Sequence, residues 1–111
     1  MDSATYPPAL IRATLPIAVL ASLEKGKLHG YGLAGRLEEL GYGRLRGGSL
    51  YPALSKLEEA GYVTTSWAQG ESGPAKREYS LTPQGRQQLA AERQNLARLS
   101  AALGAEEGKQ G

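Results

Sequence analysis

The apolar positions of the 111-residue chain change period along its length, and the changes divide it into elements. Ile17, Val19, Leu20 and Leu23 cluster behind Thr14 and Pro16. Proline is accepted in a first helical turn, where its missing N–H would have no partner anyway. A first helix is therefore predicted over roughly 15–25, stopped by Gly26, with Leu10 and Ile11 on a preceding turn that can dock elsewhere. Leu33, Leu37 and Leu40 fall at i, i+4, i+7, one face of a second helix over 30–40 that Gly41 ends. After the turn-rich "GYGRLRGG" of 41–48, Leu50, Leu54 and Leu57 repeat that spacing in "GGSLYPALSKLEEAGY". Gly48 or Ser49 can cap a third helix of about 50–60, with Pro52 in its first turn and Gly61 as its stop.

Beyond Gly61 the period falls to two. Val63, Thr65 and Trp67 alternate with Thr64 and Ser66, and Tyr79 and Leu81 share a face of "KREYSLT", as half-buried strands require. The intervening "AQGESGPA" is too long for a tight two-residue turn, so the two strands form a hairpin with a projecting tip. Thr82 as N-cap and Pro83 at the first position open a fourth helix over 83–103. In it Leu89, Leu96 and Leu103 recur every seven residues, Leu99 adds a further position and Glu92 interrupts the seam. The fold class implied is mainly α with a two-stranded β-hairpin. The ends, "MDSATYPP" and "GAEEGKQG", read as a flexible arm over 1–9 and a disordered tail over 104–111, flanking a domain of 10–82 and the long helix.

Composition narrows the function classes. With no cysteine, neither disulfides nor a zinc ribbon is available, the one histidine cannot build a metal site alone, and no metal or cofactor is expected. No run approaches the roughly 18 apolar residues of a membrane span, and the first residues lack a basic-then-apolar leader, so a cytoplasmic protein without a membrane partner is expected. A net charge of +2 permits a nucleic-acid partner without arguing for one; the placement of the charges decides.

Enzymatic readings fail on context. "HGYGLAG" spells G-x-G-x-x-G at Gly30, Gly32 and Gly35, but a dinucleotide loop needs a strand leading into its first glycine and a helix leaving its last. Here a helix end and a turn precede Gly30, and the apolar face of the second helix already begins at Leu33 inside the supposed loop. The glycines are better explained by a helix start and a close helix contact. His29 has no nearby nucleophile and suits a helix cap, while Glu38, Glu39, Glu58 and Glu59 point to different sides of their helices and are solvated. No catalytic residue is assigned.

The order of elements instead suits a helix-turn-helix followed by a wing. At about 100° per residue, Leu50, Leu54 and Leu57 share one side of the third helix, while Pro52, Ser55, Lys56 and Glu59 lie opposite, with Tyr51 on the flank. Small polar groups, a phenol and a cation can meet base edges or phosphates in a major groove; the competing reading is a solvated face. Arg44 and Arg46 before this helix, and Lys76 and Arg77 after the hairpin loop, can clamp phosphates on both flanks, partly opposed by Glu71 and Glu78. Leu89, Leu96, Leu99 and Leu103 offer a dimerisation seam, against the alternative that the helix packs only on its own domain.

The stretches "LHGYGLAGRLEELG", "GSLYPALSKLEEAGYV" and "GPAKREYSLTPQGRQQL" together resemble the PadR family of bacterial transcriptional regulators, over roughly 15–95. The resemblance implies a winged helix-turn-helix homodimer, usually a repressor, that binds double-stranded DNA at an imperfect palindrome and is released by an effector or stress signal, here unknown. It implies groove-facing roles for Ser49, Tyr51, Pro52, Ser55 and Lys56, a wing role for Lys76 and Arg77, and "HGYGLAGRL" as the first helix of the helix-turn-helix. A single C-terminal helix resembles the short subfamily. Pro16 departs from the usual helix former, and the fourth helix lacks the tryptophans on which some short members stack flat drugs; Trp67 belongs to core or hairpin packing. The alternative is a winged-helix protein-interaction module without sequence-specific DNA binding.

Overall fold

The computed structural model describes residues 4–45, 47–68 and 76–104. Helix α1 (Pro8–Ser22) leads through β1 (Leu28–His29) into α2 (Gly30–Leu37), and a wide turn over Glu38–Tyr42 follows. Helix α3 (Gly47–Glu59), strands β2 (Val63–Ala68) and β3 (Lys76–Leu81), and α4 (Pro83–Ala102) complete the chain. The strands form one antiparallel sheet in the order β1-β3-β2, with Thr65 opposite Tyr79, Trp67 opposite Arg77, and Leu28 opposite Tyr79 on the other edge. The predicted hairpin is present, and the two-residue β1 makes the sheet three-stranded. The residues expected to form its projecting tip, 69–75, with Glu71 among them, lie outside the described residues, as do Arg46 and the predicted tail from 105 onward.

The core gathers the predicted stripes. Leu33 and Leu37 of α2, Leu50, Leu54 and Leu57 of α3, Val63 and Tyr79 of the sheet and Leu89 of α4 surround Val19, Leu20 and Leu23. Helix α1 begins well before the predicted 15. Pro7 is its N-cap residue and Pro8 opens the helix, so the proline rule holds, at a different proline. Pro16 sits inside the helix on its exposed side, and Thr14, read as the start, lies mid-helix with its hydroxyl donating to the Leu10 carbonyl at 2.8 Å. Residues 5 and 6, expected in a flexible arm, are tied down: the Thr5 N–H donates to the Gly41 carbonyl at 2.8 Å, and Tyr6 meets Tyr42 edge-on at 6.1 Å.

The second predicted helix is cut short for a related reason. Gly41 adopts φ +102°, which disfavours a side chain, and a Cβ there would press on Thr5 and Tyr6. The wide turn that reaches it carries Leu40 off the buried face and leaves it exposed. Helix α3 starts at Gly47, so Gly48 and Ser49 are helical residues and not caps.

Thr82 ties α4 to the sheet. Its hydroxyl accepts from the Gly85 N–H at 2.9 Å and donates to the Gly61 carbonyl at 2.6 Å, while its own N–H donates to the Tyr62 carbonyl at 3.1 Å. A cap of this kind is worth about 1–2 kcal/mol, so Thr82→Ala should lower the melting temperature by about 5–10 °C in thermal unfolding. Farther along α4, Arg93 clamps Glu24 at the end of α1 with contacts of 3.1 and 2.9 Å, and that hydrogen bond holds the Glu24 carboxyl below its ordinary range. Among the described residues, no helix is long and apolar enough to cross a membrane.

Candidate nucleic-acid interface

Helix α3 divides its faces as its leucine spacing requires: Leu50, Leu54 and Leu57 are buried, while Ser49, Tyr51, Pro52, Ser55 and Lys56 are all exposed. The start of α2 supports this outer face. His29 precedes α2 with an extended backbone, and its ring Nδ1 accepts from the Gly32 N–H at 3.4 Å, as a structural cap. Gly30 has a second reason to lack a side chain: a Cβ there would lie 2.7 Å from the Tyr51 hydroxyl. Packing against α3 thus accounts for the first glycine of the pattern. A short strand does enter Gly30, but it is an antiparallel edge, and the space a phosphate would need holds a tyrosine. Gly35, the third glycine of the pattern, faces open space.

Between α3, the start of α2 and β3 runs a groove of about 460 Å³, walled by His29, Tyr31, Tyr51, Ser55, Lys76 and Arg77. Of the α3 candidates, Tyr51 and Ser55 thus share one concave surface with Lys76 and Arg77, whereas Ser49, Pro52 and Lys56 line a separate cleft with Arg12 and Pro16 of α1. Arg44 is exposed on the connector before α3, and Arg46 falls outside the described residues. Tyr31, 85% exposed at the start of α2, was missed from the sequence; a tyrosine inside an apparent glycine loop carries no periodic signal.

The charges of the wing are arranged differently from the expectation. Glu78 faces Lys27 at 3.4 Å, and the acid beside Arg77 is Glu58 of α3, 3.6 Å from its guanidinium. Glu58, read as merely solvated, also accepts a hydrogen bond from the Thr65 hydroxyl at 3.0 Å. The Arg77 guanidinium stands 5.9 Å from the ring centroids of both Trp67 and Tyr79. Trp67 is 69% exposed, so it packs the hairpin surface under Arg77 and is no part of the core. Burial pushes the Tyr79 phenol above its ordinary range. No cluster of three or more potential metal ligands occurs among the described residues.

The leucines of α4 separate into two groups. Leu89, read as part of the dimer seam, is 2% exposed and belongs to the chain's own core, because its turn of α4 still lies against the domain. Leu96, Leu99 and Leu103 become progressively more exposed toward the helix end, reaching 77% at Leu103.

Residues 19–91 match the Transcriptional regulator PadR-like family. The chain belongs to this family. A transcriptional regulator of Mycobacterium tuberculosis is 34% identical to it over 89 residues, which cover 80% of this chain and 81% of that protein. An uncharacterized 37.1 kDa transposon protein of Streptomyces fradiae is 40% identical over 82 residues, 74% of this chain, but the chain spans only 23% of its length. Among solved structures, a PadR-like transcriptional regulator of Bacillus cereus superposes with a TM-score of 0.78 at 20% identity, over 92% of this chain and 99% of that one. Bacillus subtilis PadR, solved in complex with operator DNA, superposes with a TM-score of 0.63 at 32% identity, over 70% of this chain and 45% of that one. The PadR-like fold is a winged helix, with α2 and α3 as the helix-turn-helix and β2–β3 as the wing. The family is one of transcriptional regulators, not enzymes.

Proposed function

We propose that this PadR-like protein is a homodimeric, sequence-specific DNA-binding repressor acting in the cytoplasm. The observation that carries the reading is the exposed polar face of α3, with Ser49, Tyr51, Pro52, Ser55 and Lys56, of which Tyr51 and Ser55 share a groove with Lys76 and Arg77 of the wing. The B. subtilis relative solved on operator DNA supports it. In this reading residues 10–82 form the DNA-binding domain: α3 enters a major groove, and Arg44, Arg46, Lys76 and Arg77 engage the flanking phosphates.

Residues 83–103 form the dimerisation helix. Leu96, Leu99 and Leu103 expose a row of apolar surface that a second copy would cover, and they set the separation of the two recognition helices. An effector would act by changing that separation or the dimer population. Replacing Leu99 and Leu103 together with aspartate should leave the fold melting near the wild-type temperature and halve the mass measured by sedimentation equilibrium.

Hydroxyl-radical footprinting on DNA upstream of the protein's own coding sequence tests the reading. Two protected patches of imperfect twofold symmetry are expected, about 34 Å or one helical turn apart. Uniform cleavage at saturating protein would overturn it.

A further inference from the structure

The groove that the DNA-binding reading assigns to a duplex contains a carboxylate. Arg77 and Tyr79 of β3 line the groove together with Glu58, and their register partners on β2 are Trp67 and Thr65. The Arg77 guanidinium rests 5.9 Å from each of the two ring centroids, and Glu58 of α3 reaches it at 3.6 Å. The Thr65 hydroxyl donates to the other Glu58 oxygen at 3.0 Å, so the carboxylate is held in place independently of the arginine. Both members of the pair keep part of their surface in solvent, 46% for the Arg77 side chain and 37% for Glu58.

A phosphate arriving at this wall of the groove meets an arginine already engaged by a fixed anion. To take the guanidinium it must displace the carboxylate, and the freed carboxylate then lies near the phosphate as a like charge. We infer that Glu58 is an attenuator of duplex binding: it holds the wing's Arg77 in an internal ion pair that the DNA backbone has to displace, and so sets affinity below what the wing's cations would otherwise provide. The inference rests on the DNA-binding reading above. It adds to the groove an acidic residue that opposes binding, fixed by Thr65 and independent of base sequence.

The competing view is that the pair only braces the wing against α3. The two views give opposite signs. Glu58→Gln keeps the side-chain shape and the acceptor for Thr65 while removing the charge. Attenuation requires this variant to bind tighter, whereas a brace requires it to bind weaker and melt lower.

The test uses full-length protein and one upstream duplex with its scrambled counterpart, by fluorescence anisotropy at fixed low salt, for wild type, Glu58→Gln, Arg77→Gln and the double variant. Glu58→Gln should tighten binding about 3- to 10-fold on both duplexes, consistent with an exposed ion pair and a removed like charge. Arg77→Gln should cost little in the wild type and remove most of the gain in the Glu58→Gln background, leaving only the share due to the removed like charge. Unchanged or weaker binding by Glu58→Gln, or a gain undiminished without Arg77, overturns the attenuator while leaving the DNA-binding reading intact. Failure of every variant, wild type included, to bind either duplex overturns both.

Discussion

Gly85→Ala should be among the most destabilising single substitutions in this protein. A Cβ at that position would run into the backbone carbonyl of Tyr62, with a Leu81 methyl 3.0 Å away. The carbonyl cannot yield cheaply. It already accepts from the Thr82 N–H at 3.1 Å, and the Gly85 N–H is the group that the Thr82 hydroxyl caps. Relief therefore requires α4 to move off the sheet as a unit, breaking the cap and shifting Leu89 in the core. Overpacking of a close contact costs about 1–3 kcal/mol and occasionally more; with the cap included, a loss of about 3–4 kcal/mol is expected, a fall of about 15–20 °C in melting temperature. Gly35→Ala supplies the contrast. Gly35 lies in α2 with nothing within 4 Å of an added Cβ, so alanine there should stabilise by about 0.5–1 kcal/mol through helix propensity. Opposite signs for the same substitution in two helices, measured by thermal unfolding, would separate steric exclusion from propensity.

The second large effect concerns binding, with the fold left alone. Tyr51, Ser55 and Lys56 are exposed on α3, so replacing all three with alanine should change the melting temperature by only a few degrees. If they meet bases and phosphates as proposed, each carries about 1 kcal/mol or more of specific binding, and the triple variant should lose about 100-fold or more in affinity for the operator. Lys56→Ala alone should weaken all duplexes alike and reduce the salt slope by about 1. Anisotropy titrations at several salt concentrations read both quantities. An unchanged slope for Lys56→Ala would remove that residue from the phosphate contacts.

Much of the architecture was legible because it rests on short-range signals. Leu33 and Leu37 of α2, the i, i+4, i+7 leucines of α3, the alternation after Gly61, and the Thr82–Pro83 start of α4 were each read from neighbouring residues and lie where expected. What could not be read depends on contacts distant in sequence. β1 has two residues, too few to show a period, and exists because β3 offers it an edge. The early start of α1 was hidden by a polar, proline-rich composition that resembles an arm until Thr5 and Tyr6 are seen docked on the turn around Gly41. A leucine repeat of seven marks a helix face without naming what covers it, so Leu89 looked like the more exposed Leu103. The outer face of α3 was legible as a surface, but the pairing of Arg77 with Glu58 in place of Glu78 was not, since it joins a helix to a strand across the groove.

The central claim is sequence-specific DNA binding through α3 and the wing. The most direct measurement is the affinity for the duplex upstream of the protein's own gene against a scrambled duplex of the same composition, across a series of salt concentrations. A preference of about a thousandfold for the upstream duplex, with affinity falling steeply as salt rises, is the expected result. Equal, weak binding to both duplexes at every salt concentration would contradict the claim.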